Sequence, residues 1–267
     1  MAKKERLDVL VVERGLCETR EKAQKYIMAG LVLVNDQKID KVGTKISLDS
    51  HLRLTGEPLP YASRGGFKLE EAFKCFPISM QDCVVTDLGA STGGFVDCAL
   101  QNGAKRVYAV DVGYGQLAWK LRTDDRVINM EKTNARYLTS DDFPELMDWI
   151  TTDVAFISLT KILPAAYAIL KDKGSGVALI KPQFEAGREK IGKNGVVRDP
   201  AVHKEVIERI LDFNNSLGFK TLGVVHSPIQ GPQGNIEYLY WFTKDDDAES
   251  IVIDIDDLVD KTFADFK

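Results

Sequence analysis

Long apolar runs are missing from this sequence. The longest apolar stretches have the length of a strand, such as residues 177–180, and none approaches the ~20 residues that a membrane-spanning helix needs. The first six residues, Met-Ala-Lys-Lys-Glu-Arg, are followed by no apolar region, so a secretory signal is not predicted. These absences predict a cytoplasmic protein without a membrane segment.

Paired cysteines and clustered histidines are also missing. Cys17, Cys75, Cys83 and Cys98 form no Cys-x-x-Cys pair, and the three histidines are scattered along the chain. A zinc site is therefore not expected, and no other metal site is predicted. The cysteines are expected to be free thiols in a reducing compartment.

An excess of basic residues is lacking as well, since the net charge is −5. Such a value argues at first against a nucleic-acid partner. However, residues 1–60 contain 11 Lys and Arg against 9 Asp and Glu, whereas residues 244–267 contain 3 against 9. Most of the acidity lies in the C-terminal tail and does not have to cover an RNA-facing surface.

The chain of 267 residues, 44% hydrophobic and 28% charged, is long enough for one large α/β domain and a small appendage. Predicted strands alternate with predicted helices, which favours a doubly wound, mainly parallel sheet. The predicted strands cover residues 84–87, 107–111, 127–130, 149–156, 177–180, 220–226 and 236–242. The predicted helices of this domain cover residues 63–73, 95–101, 161–171 and 201–216, and the spacing of Leu258, Val259 and Phe263 favours a last helix.

The sequence from Val84 to Phe95 is the most informative stretch. A buried strand containing Asp87 leads into the turn Gly-Ala-Ser-Thr-Gly-Gly and then into a helix. A strand, a glycine-rich turn and a helix N-terminus form a concave seat for a nucleotide-like ligand, although such a turn also occurs in ordinary α/β cores. Asp111 ends the next strand, 24 residues after Asp87 (111 − 87), near the offset of a ribose-binding acid.

A dinucleotide and S-adenosylmethionine both fit this pattern. The turn departs from G-x-G-x-x-G because Ser91 occupies the second glycine position. The carboxylate of Asp87 would repel a diphosphate and attract a sulfonium or an amino group. This favours S-adenosylmethionine and weakens the alternative of an NAD-dependent dehydrogenase.

Residues 6–60 are predicted to form a separate module, followed by a linker over residues 55–61 that contains two prolines and one glycine. Gly15 is expected to end a first helix, and Thr19 to cap a second helix that ends at Gly30. Arg20, Lys22 and Lys25 share that second helix. By themselves they are typical of a solvated charged face.

Four residues could carry chemistry, namely Lys68, Asp153, Lys181 and Glu237. Ligands of open α/β sheets bind outside the carboxyl ends of the strands, where Asp153 and Lys181 are expected. Taken singly, each of the four is more often part of a surface ion pair. The basic loop 187–198, which includes Arg188, is either an RNA-facing lid or a solvated crossing.

The N-terminal pattern Thr-Arg-Glu-Lys-Ala-x-x-x-Ile-x-x-Gly-x-Val-x-Val-Asn, residues 19–35, resembles the S-four-type RNA-binding module. In that module the basic second helix contacts RNA phosphates. The resemblance implies RNA contacts by Arg6, Arg20, Lys22 and Lys25. Contacts of this kind position an RNA rather than read its sequence.

Several motifs then follow in one order: Ser-Arg-Gly-Gly-x-Lys-Leu, Asp-Leu-Gly-Ala-Ser-Thr-Gly-Gly-Phe, Val-Asp-Val-Gly-Tyr-Gly-Gln-Leu, Thr-Asn-Ala-Arg, Lys-Pro-Gln-Phe-Glu and Gly-Asn-x-Glu-Tyr. Together they resemble the TlyA family of FtsJ-like ribosomal RNA 2′-O-methyltransferases, which are often labelled hemolysins. One small departure is Lys132, where the family pattern predicts arginine. The resemblance implies a Rossmann-like methyltransferase domain at residues 59–267 after an α+β S-four-type domain at residues 1–58.

The resemblance also implies the site residues. Catalysis is expected from the tetrad Lys68, Asp153, Lys181 and Glu237, with Lys181 either accepting the proton of the ribose hydroxyl or orienting that hydroxyl. S-adenosyl-L-methionine is the expected cofactor, with Asp111 on its ribose and Asn134 and Ala135 near its adenine. The implied cofactor-binding residues are Asp87, Gly89, Ala90, Ser91, Thr92, Gly93, Gly94, Phe95, Asp111, Val112, Asn134 and Ala135. Arg64 and Arg188 join Arg6, Arg20, Lys22 and Lys25 as expected RNA-binding residues.

The implied partner is ribosomal RNA or a ribosomal subunit, with cytidine as the target nucleotide. Two other functions remain as alternatives. A membrane-active hemolysin would need an amphipathic or apolar insertion element, and the sequence contains none. A non-catalytic RNA-binding assembly factor would not need the intact tetrad.

Overall fold

The computed structural model describes residues 4–56 and 59–266. The chain divides into two compact units, Met1–Pro60 and Tyr61–Lys267. The predicted linker over residues 55–61 includes Glu57 and Pro58, which lie outside the described residues. Among the described residues, no helix is both long and apolar enough to span a membrane.

The first unit contains two helices and five short strands within residues 4–56. They are β1 (Lys4–Arg6), α1 (Leu7–Glu13), α2 (Arg20–Met28), β2 (Val32–Val34), β3 (Gln37–Lys38), β4 (Lys45–Ser47) and β5 (Leu52–Leu54). Strand β1 pairs with β4, and β2 lies between β3 and β5, all antiparallel. Leu7, Val11 and Ile27 are among the buried residues that hold the helices on the strands. The Thr19 hydroxyl accepts a hydrogen bond from the Lys22 amide at 3.2 Å, which confirms the predicted helix cap.

The second unit is an α/β domain. Its helices are α3 (Gly66–Cys75), α4 (Gly94–Gln101), α5 (Trp119–Arg122), α6 (Leu163–Ile169), α7 (Pro182–Glu185), α8 (Pro200–Ser216) and α9 (Ile255–Asp265). Its strands are β6 (Val84–Leu88), β7 (Arg106–Val110), β8 (Val127–Met130), β9 (Met147–Thr152), β10 (Leu170–Ile180), β11 (Lys220–His226) and β12 (Tyr238–Thr243).

These strands form one sheet in the order β11-β12-β10-β9-β6-β7-β8. The neighbours from β10 to β8 are parallel, and β12 is antiparallel to both of its neighbours. The predicted doubly wound, mainly parallel sheet is therefore confirmed. The strand order reverses direction between β6 and β9, and ligands of such sheets bind at this point, outside the carboxyl ends of the strands.

Side chains alternate between two cores along each central strand. In β6, Val84 and Leu88 face the core beneath α6 and α8, while Val85 faces the core beneath α3 and α4. Both faces of the sheet are thus covered, which explains why the strands are almost continuously apolar. Asp87 lies two residues after Val85 and so shares the face of α4.

Several predicted boundaries were wrong, including the starts of β9 at Met147 and of β10 at Leu170. Strand β9 ends at Thr152 rather than at residue 156, because the chain leaves the sheet there and Phe156 adopts a left-handed φ of +62°. The helix predicted for residues 161–171 ends at Ile169, since Leu170 already begins β10. Residues 171–173 are polar and therefore gave no strand signal. In the structure the pairing of β10 with β9 is irregular over this stretch. The last strand begins at Tyr238, immediately after Glu237, instead of at residue 236.

The helix predicted in the acidic tail is confirmed as α9. Val259 is fully buried, and Leu258 and Phe263 pack against the same core. The Asp254 carboxylate caps the helix by accepting a hydrogen bond from the Asp257 amide at 2.9 Å. Asp254 therefore caps this helix, and Asp256, Asp257, Asp260 and Asp265 belong to it.

Candidate active site

The four candidate catalytic residues meet at the carboxyl edge of the sheet. Asp153 follows β9 directly, and Lys181 follows β10 directly. Glu237 precedes β12, which runs antiparallel to β10 with Ile180 opposite Tyr238, so that the start of β12 faces the end of β10. Lys68 reaches the same place from the first turn of α3.

Their side chains form a row of alternating charges. The Lys181 ammonium pairs with one carboxylate oxygen of Asp153, and the other oxygen lies 3.7 Å from the Nζ of Lys68. Lys68 donates a hydrogen bond to Glu237 Oε2 at 2.6 Å. Glu237 is 1% exposed, Lys68 7% and Lys181 9%. Two positive and two negative charges offset one another, which is the condition under which such groups tolerate burial.

Lys68 is not part of a surface ion pair, because its side chain is buried in this row. Arg64, four residues earlier, is exposed and lines the same cleft. Arg188 is exposed in the 3-10 turn that follows α7. Of Arg64, Lys68 and Arg188, only Lys68 is buried.

Sequence reasoning missed Gln183. Its amide Nε2 donates a hydrogen bond to Glu237 Oε1 at 2.9 Å, so both carboxylate oxygens of Glu237 have a donor. A Cβ at Gly231 would lie 2.3 Å from Glu237 Oε1, which shows how closely the loop before β12 covers this carboxylate. The motif Lys-Pro-Gln-Phe-Glu contains Gln183, but nothing in the motif says which side chain its amide meets.

Glu185 was also missed. Its carboxylate accepts hydrogen bonds from Ser158 Oγ and from the Leu159 amide, both at 2.7 Å. Burial raises the pKa of Glu185, which these hydrogen bonds and Arg209 oppose. The contacts tie the end of α7 to the loop that carries Asp153, and so they fix the position of that loop.

The glycine-rich turn forms the other wall of the cleft. Ser91 adopts a φ of +48°, and its amide donates to Asp111 Oδ2 at 2.8 Å. The Gly113 amide donates to Asp111 Oδ1 at 2.7 Å. Each carboxylate oxygen of Asp111 retains a lone pair, because an ionised carboxylate offers about four acceptor positions.

Asp87 is the buried acid of this wall. It is 1% exposed and accepts a hydrogen bond from Thr151 Oγ1 at 2.8 Å. Burial raises the pKa of Asp87 to about 7; the Thr151 hydrogen bond opposes this shift, and the nearby charges of Asp153 and Asp111 add to it. The site therefore contains a carboxyl group that a cationic ligand would ionise.

Two adjoining cavities collect most of the expected cofactor-binding residues. One of about 480 Å³ contains three tetrad residues, Asp87 and the glycine-rich turn, and one of about 370 Å³ contains Asp111. Gly89, Ser91 and Asp153 line both. The predicted residues along them are Asp87, Gly89, Ala90, Ser91, Thr92, Gly94, Phe95, Asp111, Val112, Asn134 and Ala135. Gly93 instead is the N-cap residue of α4, with a φ of +93°, where a Cβ would lie 2.2 Å from Leu121.

The expected RNA-binding residues of the first unit lie on or before its two helices. Arg20, Lys22 and Lys25 belong to α2, and Arg6 directly precedes α1. Lys22 lies 3.5 Å from Glu18 in an i,i+4 pair. Arg6 and Arg20 both contact Asp8, a residue that sequence reasoning did not single out.

Comparison with known families agrees with this architecture. The model of the FtsJ-like methyltransferase family matches residues 61–244, and the model of the S4 domain matches residues 5–51. The protein is therefore an FtsJ-like methyltransferase with an S4 domain before it. A methyl donor of the S-adenosylmethionine type is implied by this class.

Individual relatives narrow the class. The chain is 57% identical to YqxC of Bacillus subtilis, over 89% of this chain and 85% of that protein. It is 38% identical to the 16S/23S rRNA (cytidine-2′-O)-methyltransferase TlyA of Mycobacterium tuberculosis, over 99% of both chains. A solved structure from Streptococcus thermophilus superimposes with a TM-score of 0.77 at 50% identity, covering 100% of this chain and 98% of that one. The chain belongs to the TlyA family.

Proposed function

We propose that this protein transfers a methyl group from S-adenosylmethionine to a ribose 2′-hydroxyl of ribosomal RNA, with cytidine as the target nucleotide. The observation that carries the proposal is the buried row Lys181, Asp153, Lys68 and Glu237 beside the glycine-rich turn. The TlyA relative from Mycobacterium tuberculosis is named for this reaction on 16S and 23S rRNA.

The residues along the two cavities fit such a donor, whose contribution is an electrophilic methyl group on a positively charged sulfur. Asp87 supplies a carboxyl group that attracts a cationic end, and Asp111 retains lone pairs for ribose hydroxyls. Asn134 and Ala135 line the cavity assigned to the adenine. A Cβ at Gly89 would lie 3.1 Å from the Asp153 carbonyl oxygen, so a larger residue would crowd the space that the donor needs.

We assign to the tetrad the orientation and deprotonation of the ribose 2′-hydroxyl that accepts the methyl group. The 2′-oxygen would take the methyl group from the sulfur of the donor, and the hydroxyl proton would pass to Lys181 in its neutral amine form or to a water held by the Lys181 ammonium. Asp153 orients the Lys181 ammonium, while Lys68 and Glu237 hold Asp153 in place. Holding the hydroxyl in line with the methyl group supplies much of the acceleration.

We assign the RNA to both parts of the chain, with residues 1–58 as the RNA-binding domain and residues 59–267 as the catalytic domain. The S4 domain supports RNA contacts by basic residues of the first unit. The proposed contacts are Arg6, Arg20, Lys22 and Lys25, with Arg64 and Arg188 on the catalytic domain. These contacts bind phosphates and position the substrate.

The deciding experiment incubates the full chain with separated ribosomal subunits and S-adenosylmethionine labelled in its methyl group. Label is expected in rRNA, at a nucleotide whose 3′ phosphodiester bond resists alkaline hydrolysis. Lys181→Ala is expected to abolish transfer while calorimetry still detects donor binding. A fully active Lys181→Ala variant would refute the assignment of Lys181, and a wild-type protein without donor uptake would refute the enzyme.

The same assay separates the alternatives. A hemolysin would lyse red cells without the donor, and an assembly factor would bind subunits without labelling them. Labelled rRNA, together with intact red cells, is the result that the proposed function requires.

A further inference from the structure

A buried carboxylate lies beneath two arginines in the first unit. The Asp8 side chain has no exposed surface, although it is near the start of α1. Its oxygens accept hydrogen bonds from Arg6 Nε at 2.9 Å and Nη2 at 3.2 Å, and from Arg20 Nε at 2.9 Å. Gln24 Nε2 donates a fourth at 3.1 Å. One carboxylate therefore gathers donors from the start of α1 and from two turns of α2.

The two guanidinium groups keep an outer side free for another partner. Arg6 and Arg20 remain 42% and 54% exposed while their Nε atoms face Asp8. Each guanidinium has five N–H donors in a planar fork, so most donors of each remain after the contacts with Asp8.

Arg6 and Arg20 are restrained before any ligand arrives, because both pair with Asp8. The Glu5 carboxylate also acts on Arg6. Hydrogen bonds from Arg6 hold the pKa of Asp8 well below its usual range, with Gln24 and Arg20 adding to the effect and burial opposing it. Asp8 thus stays ionised at any pH at which RNA binding is measured.

We propose that Asp8 is a positioning residue that presents Arg6 and Arg20 together as a preformed site for a backbone phosphate of the RNA substrate. The inference rests on the proposed function, since it concerns how that RNA is held. Arginine forks match phosphate oxygens in a bidentate geometry. Side chains that are ordered in the free protein lose less conformational entropy on binding.

A positioning role of Asp8 and a purely Coulombic role predict opposite effects of one substitution on RNA binding. Asp8→Asn removes a negative charge from a surface that binds a polyanion, so a purely Coulombic effect would tighten binding. If Asp8 positions the arginines, the same substitution weakens binding. A side-chain amide has one acceptor oxygen where the carboxylate has two, so it holds the two guanidinium groups less firmly. Glu21→Gln is the matched control, because it removes the same charge from an exposed position on α2 next to Arg20.

The test measures binding of the full-length variants to deproteinised 16S and 23S rRNA over a range of salt concentrations. Asp8→Asn is expected to bind about tenfold more weakly, with a shallower slope of log K against log salt by about one phosphate contact. Glu21→Gln is expected to bind at least as tightly as the wild type, with an unchanged slope. An Asp8→Asn variant that binds like Glu21→Gln overturns the inference.

Circular dichroism and thermal melting establish whether Asp8→Asn keeps the first unit folded. If it does not, Arg20→Lys decides, because lysine keeps the charge but lacks the planar fork. About tenfold weaker binding of Arg20→Lys supports the inference, and wild-type affinity overturns it. A wild type that methylates ribosomal subunits but binds neither RNA would overturn this inference alone, as would a methylating wild type with a normal Asp8→Asn variant. A wild type that does not methylate the subunits would overturn the proposed function.

Discussion

The buried carboxyl group of Asp87 gives the sharpest prediction. Burial raises its pKa to about 7 from the usual 3.8 of an aspartate. The charged form of this side chain is therefore less favourable in the donor-free folded protein than in the unfolded chain. We expect Asp87→Asn to make the donor-free protein more stable at alkaline pH and to weaken donor binding at the same time.

The expected gain in the free energy of unfolding follows from the raised pKa of Asp87. A difference of about three pKa units between folded and unfolded states corresponds to about 4 kcal/mol in the free energy of unfolding. The group favours the fold fully below its unfolded pKa of 3.8, and this contribution is lost as the pH rises towards 7. The advantage of asparagine should thus be small near pH 4 and reach about 4 kcal/mol at pH 8.

Asparagine suits this position because its amide oxygen can still accept the hydrogen bond from Thr151 Oγ1. The assay is urea unfolding of the second unit at pH 5 and pH 8, without donor. Asp246→Asn, at an exposed position in the tail, is the control and should change stability little at either pH.

Donor binding is measured on the same proteins. Calorimetry in buffers of different ionisation heat should show that the wild type releases a proton on binding the donor near pH 6, because the cation ionises Asp87. Asp87→Asn should bind at least tenfold more weakly and release no proton at this site. An Asp87→Asn protein that is less stable than the wild type at pH 8 would refute the reasoning, since it would mean that the folded protein stabilises the ionised carboxylate.

Three further substitutions test the geometry of the site. Gln183→Leu removes the hydrogen bond to Glu237 and should lower the rate constant of methyl transfer roughly 10- to 100-fold in single-turnover assays, with donor affinity unchanged. Lys68→Met leaves Glu237 buried without its ammonium and should cost about 3–5 kcal/mol by chemical denaturation, part of which Lys68→Met combined with Glu237→Gln restores without activity. Gly93→Ala places a Cβ 2.2 Å from Leu121 at a φ of +93°, and should lower stability by more than about 1 kcal/mol and weaken donor binding measured by calorimetry. Wild-type values for any of the three would contradict the corresponding contact.

Local features of the chain were readable from the sequence. The stretch from Val84 to Phe95 specifies a strand, a turn and a helix through residue types that act over a few positions, and the structure contains them with shifts of one residue. Thr19 as a helix cap and the apolar spacing of α9 are local in the same sense. Asp153 and Lys181 were expected at the carboxyl edge of the sheet from their places after consecutive strands. Their grouping with Lys68 and Glu237 as a catalytic tetrad came from the resemblance to a family. Their catalytic roles stay a prediction.

Tertiary structure decided the rest. Glu237 meets Lys68 across 169 residues only because β12 runs antiparallel to β10, which brings its first residues to the carboxyl ends of the parallel strands. The raised pKa of Asp87 comes from burial and from neighbouring acids on other strands, and the hold of Asp8 on two arginines comes from the packing of α1 against α2. Sequence determines what a segment can form locally, whereas electrostatics and orientation depend on which distant groups the fold brings within a few ångströms.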